Sequence, residues 1–113
     1  MLFFLESSMR YGLTEKQLHV ILGVLASVPE IECALLFGSR ALGRHKKASD
    51  IDIAIKGPQI AGKITAQVSS MMEDTYLPFF VDIVHYDSIS DDDLRKNIDQ
   101  DGIVIYQVQE TTS

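Results

Sequence analysis

The residues of this chain best suited to chemistry are three acids, Asp50, Asp52 and Asp82, and one turn, Gly38-Ser39. Asp50 and Asp52 stand at i and i+2 in the run SDIDIAI, whose alternation predicts a strand, and side chains two apart on a strand share a face. Asp82 interrupts the apolar run FFVDIVH, a further predicted strand, where burial makes an acid costly unless it is paired or bound to metal. Taken singly, Asp50 could simply end a loop and Asp82 could serve a structural hydrogen bond. Three acids on neighbouring strands are different, because like charges repel and raise one another's pKa unless a cation sits between them. Oxygen-only donors select a hard ion, and Mg²⁺ is the usual partner of carboxylates combined with nucleotide phosphates. Gly38-Ser39 ends an apolar run ten residues before Asp50 and offers backbone N–H groups and a hydroxyl to a phosphate. Arg40, next to the turn, adds a positive charge, and Arg44, Lys46 and Lys47 crowd the same loop. Two ions roughly 3.5–4 Å apart can clamp the attacking and leaving oxygens of an in-line phosphoryl displacement. The expectation is a metal–nucleotide site, with Asp50, Asp52 and Asp82 as metal-holding, catalytic carboxylates and Gly38, Ser39 and Arg40 at the phosphates.

These residues need a scaffold, and the patterning supplies one. Thr14 to Gln17 has the form of a capping box, and Leu18, Ile21, Leu22, Leu25 and Val28 follow helical spacing, predicting a helix over 15–28. His19 falls off that stripe and reads as a surface residue. Residues 31–37 predict a central strand, 40–43 a single helical turn, 44–49 a charged loop, and 50–56 a second strand. Pro58 opens a predicted helix whose apolar face (Ile60, Ile64, Val68, Met71, Met72) runs to Tyr76. A third strand over 79–85 puts Phe80, Asp82 and Val84 on one face. Ser90 reads as the cap of a further helix carrying Leu94 and Ile98, Gly102 as its stop, and 103–106 as a last strand. The order is α-β-turn-β-α-β-α-β, an α+β chain with a small mixed sheet and helices packed on it.

With 113 residues, 46% hydrophobic and 23% charged, this is one ordinary globular domain. A formal net charge of −6 argues against direct nucleic-acid binding, whose footprint is basic. The single cysteine, Cys33, excludes an internal disulfide and fits a reducing cytoplasm. No apolar run approaches the ~20 residues of a membrane span. Leu2 to Leu5 lacks the basic flank of a signal peptide, and Met9 is an alternative start, so residues 1–10 read as an extension, 11–107 as the domain and 108–113 as a tail.

The combination Gly38-Ser39, ten residues, Asp50-Ile51-Asp52 and a later Asp82 resembles the DNA polymerase β-like nucleotidyltransferase superfamily. The short length and the run FGSRALG…SDIDIAI are similar to its minimal nucleotidyltransferase (MNT) members, from about Tyr11 to Tyr106. The resemblance implies the nucleotidyltransferase fold and Mg²⁺-dependent transfer of a nucleoside monophosphate, AMP from ATP or another NTP, to a hydroxyl. Asp50 and Asp52 match the metal-binding pair, Asp82 the third carboxylate that activates the acceptor, and Gly38 and Ser39 the phosphate turn. It further implies a helical HEPN-type toxin as partner in a hetero-oligomer, with this chain as the antitoxin that modifies it. A non-catalytic antitoxin acting by occlusion and transfer to a small molecule such as an antibiotic are the alternatives. Arg40 and His45 fit the Arg-x4-His spacing of HEPN ribonucleases, but that motif belongs on a helix, and here it falls in a glycine-broken loop.

Overall fold

A computed structural model describes residues 9–108. The expected tail residues 109–113 and residues 1–8 of the expected extension lie outside the described residues. The last two residues of that extension form strand β1 (Met9–Arg10), which pairs antiparallel with β2 (Leu13–Thr14). The two-residue turn between them has Tyr11 at φ 56 and Gly12 at φ 75. Positive φ at both central positions is what a tight hairpin between right-twisted strands requires.

Helix α1 (Glu15–Ala26) starts at the expected capping box. Thr14 Oγ1 accepts from the Gln17 N–H at 3.0 Å, and Gln17 Oε1 accepts from the Thr14 N–H at 3.0 Å, satisfying two orphan donors reciprocally. Strands β3 (Cys33–Phe37) and β4 (Ile51–Lys56) follow, then α2 (Gly62–Glu73) and β5 (Val81–His85). Helix α3 (Asp92–Asp101) and β6 (Ile103–Gln107) complete the order. Several boundaries depart from the sequence reading. Helix α1 ends at Ala26 rather than at 28, and α2 ends at Glu73 rather than at Tyr76. Strands β3, β4 and β5 begin at Cys33, Ile51 and Val81 rather than at 31, 50 and 79. Pro58 belongs to a turn that buries Ile60, so α2 begins at Gly62 rather than at Pro58. The cap of α3 is Asp91, not Ser90: its Oδ1 accepts from the N–H groups of Asp93 and Leu94.

The main sheet has the order β5-β4-β3-β6. It is mixed, with β3 antiparallel to both β4 and β6, and β4 parallel to β5. A parallel pair needs a crossover, and α2 provides it. Because side chains alternate, β3, β4 and β5 each feed two separate apolar clusters. One face carries Leu36, Ile51, Ile53, Ile55, Val81 and Ile83 against Ile21 and Leu25 of α1 and Ile64, Val68 and Met72 of α2. The opposite face carries Phe37 and Ala54 against Ile98 of α3, with Val84 and Leu94 beside them. Met72 is therefore core packing, His19 is exposed, and Cys33 is a free thiol. No helix among the described residues is long and apolar enough to cross a membrane.

Candidate functional site

The site forms on the α3 side of the sheet, at the end that α3 does not cover. Strand β3 stops at Phe37 because Gly38 turns the chain at φ 79, a left-handed conformation that side-chain-bearing residues rarely adopt. The Gly38 carbonyl accepts from Leu42 N–H at 3.2 Å and the Ser39 carbonyl from Arg44 N–H at 2.8 Å, so 38–44 closes as a compact turn. Phe37 pairs with Asp52 across the β3–β4 ladder. A Cβ on Gly38 would stand 2.6 Å from Asp52 Oδ2, so only a glycine leaves room for that carboxylate against the turn.

On its other side Asp52 pairs with Asp82 in the parallel β4–β5 ladder. Directly paired residues point to one face, so the two carboxylates stand side by side on adjacent strands, about 4.8 Å apart at the backbone. Asp50 lies one residue before β4 and is exposed. Asp52 is half-buried, and its carboxyl is pushed above the ordinary carboxylate range, first by burial and then by the charges of Asp82 and Asp50. Asp82 is exposed, so the burial conflict expected there falls on Asp52 instead. Strand β5 is an edge of the sheet, which leaves Asp82 open to an approaching group.

Among the described residues no group of three or more His, Cys, Asp or Glu is gathered closely enough to hold a metal ion by itself. Three uncompensated carboxylates repel one another, and Mg²⁺ is ordinarily bound by one or two carboxylates with waters and substrate phosphates completing its shell. The donor chemistry fits such an ion. The acids are oxygen donors only, their charges converge on Asp52, and the cleared space at Gly38 lies against Asp52 Oδ2.

Arg40 departs from expectation. Its side chain is 2% exposed, and its guanidinium points inward. Nε and Nη2 donate to the Ser49 carbonyl at 3.1 and 2.8 Å, Nη1 to the Tyr11 carbonyl at 2.9 Å, and Nη2 to the Lys47 carbonyl at 3.4 Å. Its carbon also lies 4.4 Å from the centre of the Phe79 ring. Burial pulls the guanidinium pKa down while Asp50 pulls it up. Its fork is engaged by carbonyls of the chain itself rather than turned toward the phosphate turn. The cations open to solvent in the loop are Arg44, Lys46 and Lys47. Sequence reasoning missed the hairpin that carries Tyr11 and the part played by Phe79. The available signal was Tyr11-Gly12 ahead of the capping box, a two-residue turn form.

Residues 20–111 match the family described as polymerase beta, nucleotidyltransferase. A comparison with curated protein sequences returns no match. Among solved structures, a toxin–antitoxin crystal structure with AMP-PNP aligns with a TM-score of 0.68 at 24% identity, covering 81% of this chain and 74% of that one. A tri-AMPylated Shewanella oneidensis HEPN toxin in complex with MNT antitoxin aligns with a TM-score of 0.62 at 22% identity over 80% and 70%. The toxin–antitoxin MntA-HepT aligns with a TM-score of 0.54 at 21% identity over 80% and 70%. At these identities the likeness is one of fold.

Proposed function

Because this chain belongs to the polymerase β nucleotidyltransferase family, we propose that it transfers a nucleoside monophosphate, AMP from ATP, to a hydroxyl of a helical HEPN-type partner and thereby acts as its antitoxin. The observation that carries this reading is the row across the sheet: the Gly38 turn on β3, Asp52 on β4 and Asp82 on β5, joined by direct pairing. The turn would take the outer phosphates, leaving the α-phosphorus over the acids and the acceptor at the open β5 edge.

Asp50, Asp52 and Asp82 would hold the ions. Bound there, Mg²⁺ would neutralise charge on the phosphates and on the leaving pyrophosphate. The backbone N–H groups at Gly38-Ser39 and the Ser39 hydroxyl orient the outer phosphates. Asp82 takes the proton from the acceptor hydroxyl as its oxygen attacks the α-phosphorus. The bond from that phosphorus to the bridging oxygen breaks, and pyrophosphate departs with the electron pair. Arg44, Lys46 and Lys47 lie on the loop that follows the turn and would attract the polyphosphate. Solved relatives of this fold occur as a toxin–antitoxin with AMP-PNP and as an MNT antitoxin with a tri-AMPylated HEPN toxin, which supports a nucleotide donor and a protein acceptor.

The test is to incubate the chain with α-labelled ATP, Mg²⁺ and a HEPN-type protein from the same genome. Label should enter the partner, and Asp50→Asn with Asp52→Asn should abolish it. If none of the four NTPs labels the partner while both proteins are folded and bind each other, the transfer reading is wrong. Neutralisation that survives the double substitution in cells would instead point to occlusion.

A further inference from the structure

Arg40 is the largest fully buried side chain among the described residues. A buried guanidinium is expensive to keep unless its surroundings compensate it, and the charge of Asp50 does so only in part. The rest of the compensation comes from carbonyl dipoles of separate chain segments. One is the hairpin turn, through Tyr11; the others are Lys47 and Ser49, the end of the loop. A third segment, leading into β5, lays the Phe79 ring against the guanidinium.

The loop end and the segment leading into β5 each abut an acid of the proposed site, and Arg40 abuts its turn. Ser49 immediately precedes Asp50, Phe79 lies three residues before Asp82, and Arg40 itself follows Ser39. The other backbone hydrogen bonds of the loop are local: Arg44 N–H to the Ser39 carbonyl, Lys46 N–H to Ser49 Oγ, and Ser49 N–H to the Lys46 carbonyl. The hairpin is tightly seated, since a Cβ on Gly12 would stand 2.6 Å from His45 Cδ2 and 2.7 Å from Arg40 Nη1.

We infer that Arg40 is a positioning residue that fixes where the acids begin: with the Tyr11-Gly12 turn as its mount, it sets the place of Asp50 at the start of β4 and of the chain leading to Asp82. A planar five-donor fork can bridge two directions at once; an ammonium cannot do so in the same geometry. The inference rests on the metal-assisted reading above.

Mn²⁺ titration followed by electron paramagnetic resonance tests it on Arg40→Lys and Gly12→Ala, with folding checked by circular dichroism and AMP-PNP binding measured separately in EDTA. Both variants should weaken Mn²⁺ binding about tenfold, the scale typical of residues that orient metal ligands, and leave metal-free AMP-PNP binding within twofold. If Arg40→Lys does not fold, Gly12→Ala decides, because it keeps the guanidinium itself and disturbs its seat against the hairpin turn and His45. Unchanged Mn²⁺ affinity in a folded variant would show a purely structural arginine. Weaker AMP-PNP binding with Mn²⁺ affinity intact would make Arg40 a phosphate ligand. Either result overturns the inference while leaving the transfer reading standing. Failure of the unaltered protein to bind Mn²⁺ would instead remove the metal-assisted reading, and this inference with it.

Discussion

Gly38 and Asp52 are built against each other at the end of the β3–β4 ladder. The residue before Gly38 pairs with Asp52, and a Cβ on Gly38 would fall 2.6 Å from Asp52 Oδ2. The turn proposed to hold phosphate and the acid proposed to hold a cation are thus a single packing unit, so a change at either must disturb both.

Gly38→Ala should therefore act twice. It strains a backbone at φ 79, which costs about 1–3 kcal/mol, and it forces the Asp52 carboxylate aside. Gly43 is a control with nearly the same backbone, φ 73, and nothing within 4 Å of an added Cβ. Urea unfolding should show both alanine variants destabilised, while nucleotidyl transfer collapses only in Gly38→Ala. Equal losses of transfer would mean that backbone strain alone matters.

Asp52→Asn should separate stability from activity. Burial, then Asp82, then Asp50 hold the Asp52 carboxyl above its ordinary value. A folded pKa above the unfolded one means that this stability is full below the unfolded pKa and is lost as pH rises through the folded one. Above that window, without metal, the variant should be more stable than the original chain. The advantage should shrink as pH falls toward 3.8 and vanish below it, where Asp52 is protonated in both states. Transfer should be lost. Denaturation with EDTA across that range checks the sign, and an advantage that does not change with pH would contradict it.

Much of this could be read from the residues. The four strands of the main sheet and all three helices follow from alternation and helical spacing, and the capping box at Thr14 placed the start of α1. Pairing, in contrast, is a long-range property. Nothing local says that β4 runs parallel to β5, and it is this that sets Asp52 beside Asp82. The carbonyl partners of Arg40 are hidden from local sequence for a related reason. One of them, Tyr11, stands 29 positions earlier. Asp82 was expected to be buried because its neighbours are apolar, but α3 covers only the other half of that face.

The open cations of the loop should behave unlike Arg40. Arg44, Lys46 and Lys47 are exposed, and replacing all three by glutamine should change stability by no more than about 0.5 kcal/mol. Their attraction to a polyphosphate acts through solvent, so the KM for ATP should rise and its dependence on salt should flatten, with kcat nearly kept. A fall in kcat at saturating ATP would place one of them at the reacting phosphate instead.

The far half of the same sheet face should be separable from the site. Tyr86 donates its hydroxyl hydrogen to Asp99 of α3, and its ring lies 4.3 Å from Lys56 Nζ and 4.7 Å from the Arg95 guanidinium carbon. That hydrogen bond is lost when the phenol ionises, so Asp99 holds the Tyr86 pKa above the ordinary 10.0. Asp99→Asn removes the charge that favours the protonated phenol, and the Tyr86 pKa should fall toward the ordinary value. Ring-labelled tyrosine followed by NMR through alkaline pH, with Tyr86→Phe to assign the signal, reads this directly. Transfer to the partner should be unchanged, because Tyr86, to which Asp99 bonds, and Lys56 beside it lie at the far ends of β5 and β4, four residues beyond Asp82 and Asp52. A variant that lost transfer while Tyr86 shifted as expected would show that α3 reaches the carboxylates through Phe37, the one residue that both packs in the cluster around Ile98 and pairs with Asp52.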